Sequence, residues 1–168
     1  IYAATNVLGE FSGGIYKTID QGETWSGASQ GITAVAIHSV TIDPYDSDYL
    51  YAGEGNGHFY RSQDSGVTWH RGYLGGSGIG GIAVNPLDPQ NVYVISSFVY
   101  KSTDGGETFD TIYDVMASAC IAIAPDASNS VYVGTSFGIY KRSDGGLTSQ
   151  KKNQGLSFCM GSVCGMNV

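Results

Sequence analysis

Apolar and polar positions along this chain fall into short runs of four to six residues, rich in Val, Ile and Tyr, each cut off by Gly, Asn, Asp or Pro. Ile1-Tyr-Ala-Ala-Thr5, Leu50-Tyr-Ala-Gly-Glu54, Val92-Tyr-Val-Ile-Ser96 and Val131-Tyr-Val-Gly-Thr135 are four versions of one such run. Runs of this length between turn formers predict β-strands. No segment carries apolar residues at the three-to-four-residue period of a helix. A second landmark, Val40-Thr-Ile-Asp-Pro44, Ile82-Ala-Val-Asn-Pro86 and Ile121-Ala-Ile-Ala-Pro125, is a strand stopped by a proline turn, and Cys164-Gly-Met-Asn-Val168 begins a fourth copy.

A third landmark aligns four times without gaps. It reads Tyr16-Lys-Thr-Ile-Asp20-Gln-Gly22-Glu-Thr24-Trp25, Tyr60-Arg-Ser-Gln-Asp64-Ser-Gly66-Val-Thr68-Trp69, Tyr100-Lys-Ser-Thr-Asp104-Gly-Gly106-Glu-Thr108-Phe109 and Tyr140-Lys-Arg-Ser-Asp144-Gly-Gly146-Leu-Thr148-Ser149. The aspartates stand 44, 40 and 40 residues apart. Each unit of about 42 residues therefore carries four strands: A, stopped by proline; B, the Tyr-x-Gly strand; C, running into the box; and D, from the aromatic onward. Four strands in ~40–50 residues is the blade period of a β-propeller. The expected fold is all-β, a propeller of four-stranded antiparallel blades with four blade equivalents, at approximately 1–43, 44–85, 86–124 and 125–168.

The box has a structural explanation of its own. A tight C–D turn needs glycine where φ is positive, and an aspartate can fold its carboxylate onto the turn N–H groups. Gly22, Gly66, Gly106 and Gly146 fill the first role, Asp20, Asp64, Asp104 and Asp144 the second, and Trp25, Trp69 and Phe109 are expected to pack into the blade. These aspartates read as architecture, not as catalytic acids. The pattern Ser/Thr-x-Asp-x-Gly-x-Thr-Trp/Phe resembles the Asp-box, or bacterial neuraminidase repeat, of sialidases, sortilin-type receptor domains, xyloglucanase-type glycoside hydrolases and photosystem assembly propellers. Three of the four boxes match it fully. The fourth departs, with Arg142 in the Ser/Thr place and Ser149 in the aromatic place.

The chain enters at strand B and ends at strand A, so its ends are in phase across four repeats, as in a ring closed by its own termini. The resembled families usually have six or more blades, which implies instead part of a larger propeller or one protomer of a two-chain ring. Opening at Ile1 without Met or a signal peptide, the chain reads as a processed product or a stretch of something longer. Exposed blade edges would favour a homo-oligomer.

Composition narrows the function. The 25 glycines in 168 residues are about twice the usual ~7% share, yet 12 tyrosines and 42% hydrophobic residues mark a globular chain. A net charge of −7 without a basic cluster argues against nucleic acid, and no apolar run reaches the ~20 residues of a membrane helix. Cys120, Cys159 and Cys164 fit no zinc spacing, leaving free thiols or a Cys159–Cys164 disulfide. His38, His58 and His70 form no metal signature, and strand-borne His38 reads as packed; neither a metal nor a cofactor is expected. The glycines from Gly75 to Gly81 lack the Lys and the helix of a phosphate loop and read as a flexible D–A connection.

Sites belong with the longer D–A and B–C loops: Asn6 to Gly14, Ser26 to Thr33, Gly53 to His58, His70 to Gly81, Asp110 to Ala119 and Gln150 to Ser162. Asn56, His58, His70, Arg71, Tyr73 and Tyr113 are the ligand-binding candidates. Glu10, Glu54, Asp110 and Asp114 could supply the two carboxylates, ~5–10 Å apart, of a glycosidase, but no spacing singles out a pair. The resemblance implies that a sialidase would need a cluster of arginines for its substrate carboxylate, and only Arg71 stands among the loops. It also implies that a xyloglucanase joins two propellers around a cleft, where this chain forms at most one. The reading that results is a non-catalytic, exported propeller, extracellular or periplasmic, that binds a glycan or a protein surface. A glycoside hydrolase or a fragment of one is the alternative, and an assembly subunit the third.

Overall fold

The computed structural model describes residues 1–5, 13–33, 36–114, 118–126, 130–135, 137–143, 148–152 and 154. All regular structure among the described residues is β: β1 (Tyr2–Thr5), β2 (Gly14–Lys17), β3 (Ser26–Gly27), β4 (Ile37–Ile42), β5 (Leu50–Glu54), β6 (His58–Ser62), β7 (His70–Tyr73), β8 (Gly81–Val84), β9 (Val92–Ile95), β10 (Phe98–Ser102), β11 (Asp110–Asp114), β12 (Ser118–Ile123), β13 (Val131–Thr135), β14 (Gly138–Ser143) and β15 (Thr148–Lys151). They form one three-stranded sheet, β1-β2-β3, and three four-stranded sheets, β4-β5-β6-β7, β8-β9-β10-β11 and β12-β13-β14-β15. Each sheet meanders in chain order, with the proline-stopped run as A in the three four-stranded sheets and the box at the C–D corner of the first three sheets. The repeat boundaries at 43/44, 85/86 and 124/125 fall between strands A and B of a sheet. The first sheet shows B, C and D; the A-type segment Cys164–Val168, with Cys159, lies outside the described residues.

The chain divides into two compact units, Ile1–Ile82 and Ala83–Val168. In the first, Ile15, Ala28, Ile37, Leu50, Ala52, Tyr60 and Trp69 form a buried cluster, with Tyr2, Ala4, Ile32 and Val40 packed against it. These residues come from both sheets of the unit, so the core lies between neighbouring sheets. One small sheet cannot bury its apolar face alone, and stacking supplies the missing surface. In the second unit Tyr93, Ile95, Val99, Ile123, Val131 and Val133 build the equivalent cluster. A repeated cross-strand pair braces the blades: Lys17 lies over the Tyr2 ring, Lys101 over Tyr93 and Lys141 over Tyr132, at 5.3, 5.6 and 5.6 Å from the ring centroids.

The strand bounds correct the loop reading. His70–Tyr73, Asp110–Asp114 and Ser26–Gly27 are the D strands β7, β11 and β3, and Ser118–Ile123 is the A strand β12. β7 is the last strand of its sheet and exposed at all four residues. With neither face buried, it lacks the apolar alternation by which a strand is recognised. The aromatics differ as well. Trp69 is 5% exposed and packed as expected, Phe109 is half-buried, but Trp25 is 44% exposed. Trp69 is covered by the sheet before its own: its indole N–H donates to Ala28 O at 2.8 Å. Trp25 sits on the first sheet of the chain, and its indole N–H turns back to Gly22 O of its own corner, at 3.1 Å.

The box corner is a closed hydrogen-bond cycle. Asp64 accepts from Ser62 Oγ–H at 2.8 Å, from Thr68 N–H at 2.8 Å and from Thr68 Oγ1–H, while Ser62 Oγ accepts the Gly66 N–H at 2.9 Å. Thr18, Asp20 and Thr24 repeat the cycle, as do Ser102, Asp104 and Thr108. Two successive residues have positive φ: Gln21 and Gly22, Ser65 and Gly66, Gly105 and Gly106. The sequence marks only the second, because the first tolerates Gln or Ser. Asp144 and Gly146 lie outside the described residues.

Charge-assisted bonds favour the ionised carboxylate. Those from Thr68 bring Asp64 down to about 2, those from Thr18 and Thr24 hold Asp20 well below the carboxylate range, and those from Ser102 and Thr108 do the same for Asp104. A depressed folded-state value contributes stability that is present above the unfolded carboxylate value of ~4 and is lost as pH falls toward 2. The expected result is a melting temperature that drops between pH 4 and 2. Asp64→Asn should lower it at pH 7 and flatten its fall in acid. An unchanged acid slope in that variant would show that the corner is not the titrating element.

Candidate functional site

The B–C end of the second sheet gathers five of the candidate residues. Strand alternation decides this: cross-strand partners His58 and Tyr73, Tyr60 and Arg71, and Ala52 and Tyr60 share one face, and Glu54 follows Ala52 by two residues. The apolar members of this face, Ala52 and Tyr60, enter the core, and its polar members cap that core at the turn.

Glu54 is buried and ionisable. Its carboxylate accepts the Tyr60 phenol O–H at 3.1 Å and lies 3.1 Å from His58 Nδ1, which is also 2.8 Å from Asn56 Oδ1. An Nδ1–H shared between the two oxygens satisfies both and leaves Nε2 outside this pair of bonds. Burial pushes the Tyr60 hydroxyl above its ordinary value, so it remains a donor to Glu54. Arg71 donates to Thr33 Oγ1 at 3.2 Å, closing the other side of the group. Over this layer Tyr73 is 65% exposed, and its ring is tilted 49° to the half-buried His58 ring at a centroid distance of 5.1 Å.

The turn Gly55–Gly57 is held from outside. Ile79 N–H donates to Glu54 O at 2.9 Å and Leu74 N–H to Gly57 O at 3.2 Å. Ile79 is fully buried. The glycine-rich connection from Gly75 is thus docked at its end, not a loose loop, because Ile79 anchors it. On the far strand, His38 is exposed and not packed as expected: it is the extra residue of a β-bulge between Ile37 and Ser39, facing Gly53 and Glu54.

Of the other candidates, His70 stands opposite Arg61 at the box end of β7, away from Tyr73. Asp110, exposed, pairs with Lys101; Tyr113 pairs with Val99 and Asp114 with Phe98, all on β10 and β11 of the second unit. Glu10 lies outside the described residues. Among the described residues of its own unit, Glu54 has a phenol and an imidazole as partners. Thr33 and Tyr60 were missed from the sequence. The signal for Tyr60 was available in the alternation from His58; Thr33 reaches the group only through the fold. Among the described residues there is no group of three His, Cys, Asp or Glu side chains placed to hold a metal.

No family model matches the chain. A xyloglucanase of Hypocrea jecorina is 30% identical to it over a stretch that covers 76% of this chain and 18% of that protein. The chain thus spans under a fifth of that relative's length. The crystal structure of the GH74 xyloglucanase from Xanthomonas campestris superimposes with a TM-score of 0.75 at 21% identity, covering 89% of this chain and 28% of that one. A structure of YCF48 bound to D1 peptide gives a TM-score of 0.59 at 18% identity, covering 73% of this chain and 42% of that one. The fold is that of β-propeller blades. In sequence the chain is similar to one segment of a xyloglucanase.

Proposed function

We propose that this chain is the polysaccharide-holding stretch of an exported, glycoside-hydrolase-like propeller of the Asp-box type, and that it binds a glucan of the xyloglucan kind at the Glu54–His58–Tyr73 surface without cleaving it. The observation that carries the reading is the exposed Tyr73 ring beside His58, above a buried carboxylate whose partners fix it in place. An exposed aromatic supplies a flat face for the C–H side of a pyranose at little conformational cost, and the ring nitrogen, amide and guanidinium around it can bond hydroxyls. The likeness to a segment of a xyloglucanase supports a glucan as the ligand class. Hydrolysis needs two carboxylates facing each other across the sugar, and Glu54 is engaged by Tyr60 and His58 instead.

Calorimetric titration with a xyloglucan oligosaccharide tests this directly. Binding is expected, and Tyr73→Ala should weaken it about tenfold or more, the scale of one aromatic anchor. Asp64→Asn, at the opposite corner, should leave it unchanged. Absence of binding, or release of reducing sugar that stops on Glu54→Gln, would overturn the reading.

A further inference from the structure

We infer that His38 carries the binding surface across the Gly55–Gly57 turn to a second contact, so that the ligand is an oligosaccharide lying over the strand ends from β7 to β4. The inference rests on the glycan reading above and adds to it the direction and minimum length of the ligand. A β-bulge re-aims the residue it inserts, and here it lifts His38 into solvent while its neighbour Ile37 is 2% exposed. The imidazole lies against the turn itself: a Cβ added at Gly55 would come within 2.8 Å of His38 Cε1. Gly55 N–H also donates to Ala36 O at 3.3 Å, so the bulged strand and the turn are joined by backbone.

The bulge does not need the histidine. The fourth sheet has the same irregularity between Ser118 and Cys120, facing Gly134 and Thr135, and there the inserted residue is Ala119. What the second sheet adds is an exposed ring with two nitrogen atoms, able to donate to or accept from a hydroxyl. In the sheet order β4-β5-β6-β7, His38 is on the first strand and Tyr73 on the last. Three strand spacings separate them, about 14 Å. A single sugar cannot touch both, whereas an extended oligosaccharide crossing the turn can, with Asn56 and His58 between them.

The test compares ligand lengths. Affinities for cellobiose and for a long xyloglucan oligosaccharide are measured on the unaltered chain and on His38→Ala, Gly55→Ala and Tyr73→Ala, with thermal melts to check the fold. His38→Ala should weaken the long ligand about three- to tenfold, the scale of one lost hydrogen bond, and leave cellobiose unaffected. Gly55→Ala, by displacing the ring, should repeat that pattern and add nothing in the double variant. Equal losses for both lengths, or none, overturn the role of His38 even if Tyr73→Ala weakens binding. If the unaltered chain binds neither ligand, the glycan reading and this extension fall together.

Discussion

Replacing Trp69 with alanine should lower stability by about 3–5 kcal/mol, the range for removing a buried aromatic, while the same change at Trp25 should cost about 1 kcal/mol or less. The two residues occupy one position of the box, so sequence alone would give them one value. Loss of the Trp69 ring would leave a void in the buried cluster it forms with Ile15, Ala28, Leu50 and Tyr60, and would remove the indole bond that ties its corner to Ala28 O. Its backbone N–H, bonded to Gln30 O at 3.0 Å, would be carried along when the cavity collapses. Trp25 has solvent over much of its ring, and its indole bonds to its own turn. Urea denaturation of the two variants measures both. Since the chain has two tryptophans, Trp25→Ala leaves Trp69 as the sole indole reporter, and its emission should be that of a buried ring. Equal losses at the two positions would mean that the sheet-to-sheet contact contributes no more than the corner itself.

That contrast shows what the amino-acid order makes visible. Strands A, B and C were legible because each keeps an apolar run between turn formers, and in the middle of the chain that run is fully buried: β9 at all four positions and β5 at all five. The corner was legible because Asp, Gly and Thr each answer a local backbone demand. Strand D was expected from the box aromatic onward, but its extent was not legible: β7 buries nothing, so His70–Tyr73 was also counted with the loop that follows. The structure brings five of the ten candidate residues together. Glu54, Asn56, His58, Arg71 and Tyr73 lie close in sequence on one B–C turn and its neighbouring strand, so a reading of loops collects them. Thr33, joined to Arg71 across 38 residues, and His38, exposed by a bulge, depend on register, and register is set by pairing that no single strand encodes. The same ignorance of pairing left Asp110, Asp114 and Tyr113 grouped with Glu54, although they occupy another sheet.

Register also decides what the glycine-rich connection is for, and this leads to the second large effect. Gly78→Ala should destabilise the chain by about 1–3 kcal/mol, the cost of forcing extra volume into a packed contact. A Cβ at Gly78 would lie 2.6 Å from Gly55 O and 2.9 Å from Gly55 Cα, and neither is the tip of a side chain that could swing away. The backbone must part there, and two bonds brace the same turn from the same connection, Ile79 N–H to Glu54 O and Leu74 N–H to Gly57 O. Loosening them shifts Asn56 and His58 relative to Glu54. Gly78→Ala should therefore weaken the xyloglucan oligosaccharide as well as lower the melting temperature, although residue 78 lies outside the proposed sugar-contacting set. Gly27→Ala is the control, because a Cβ there meets nothing within 4 Å and should change stability by no more than about 0.5 kcal/mol. If Gly78→Ala melts with the unaltered chain and binds as well, the connection is free to move, and the rigidity assigned to the Glu54–His58 turn must come from β5 and β6 alone.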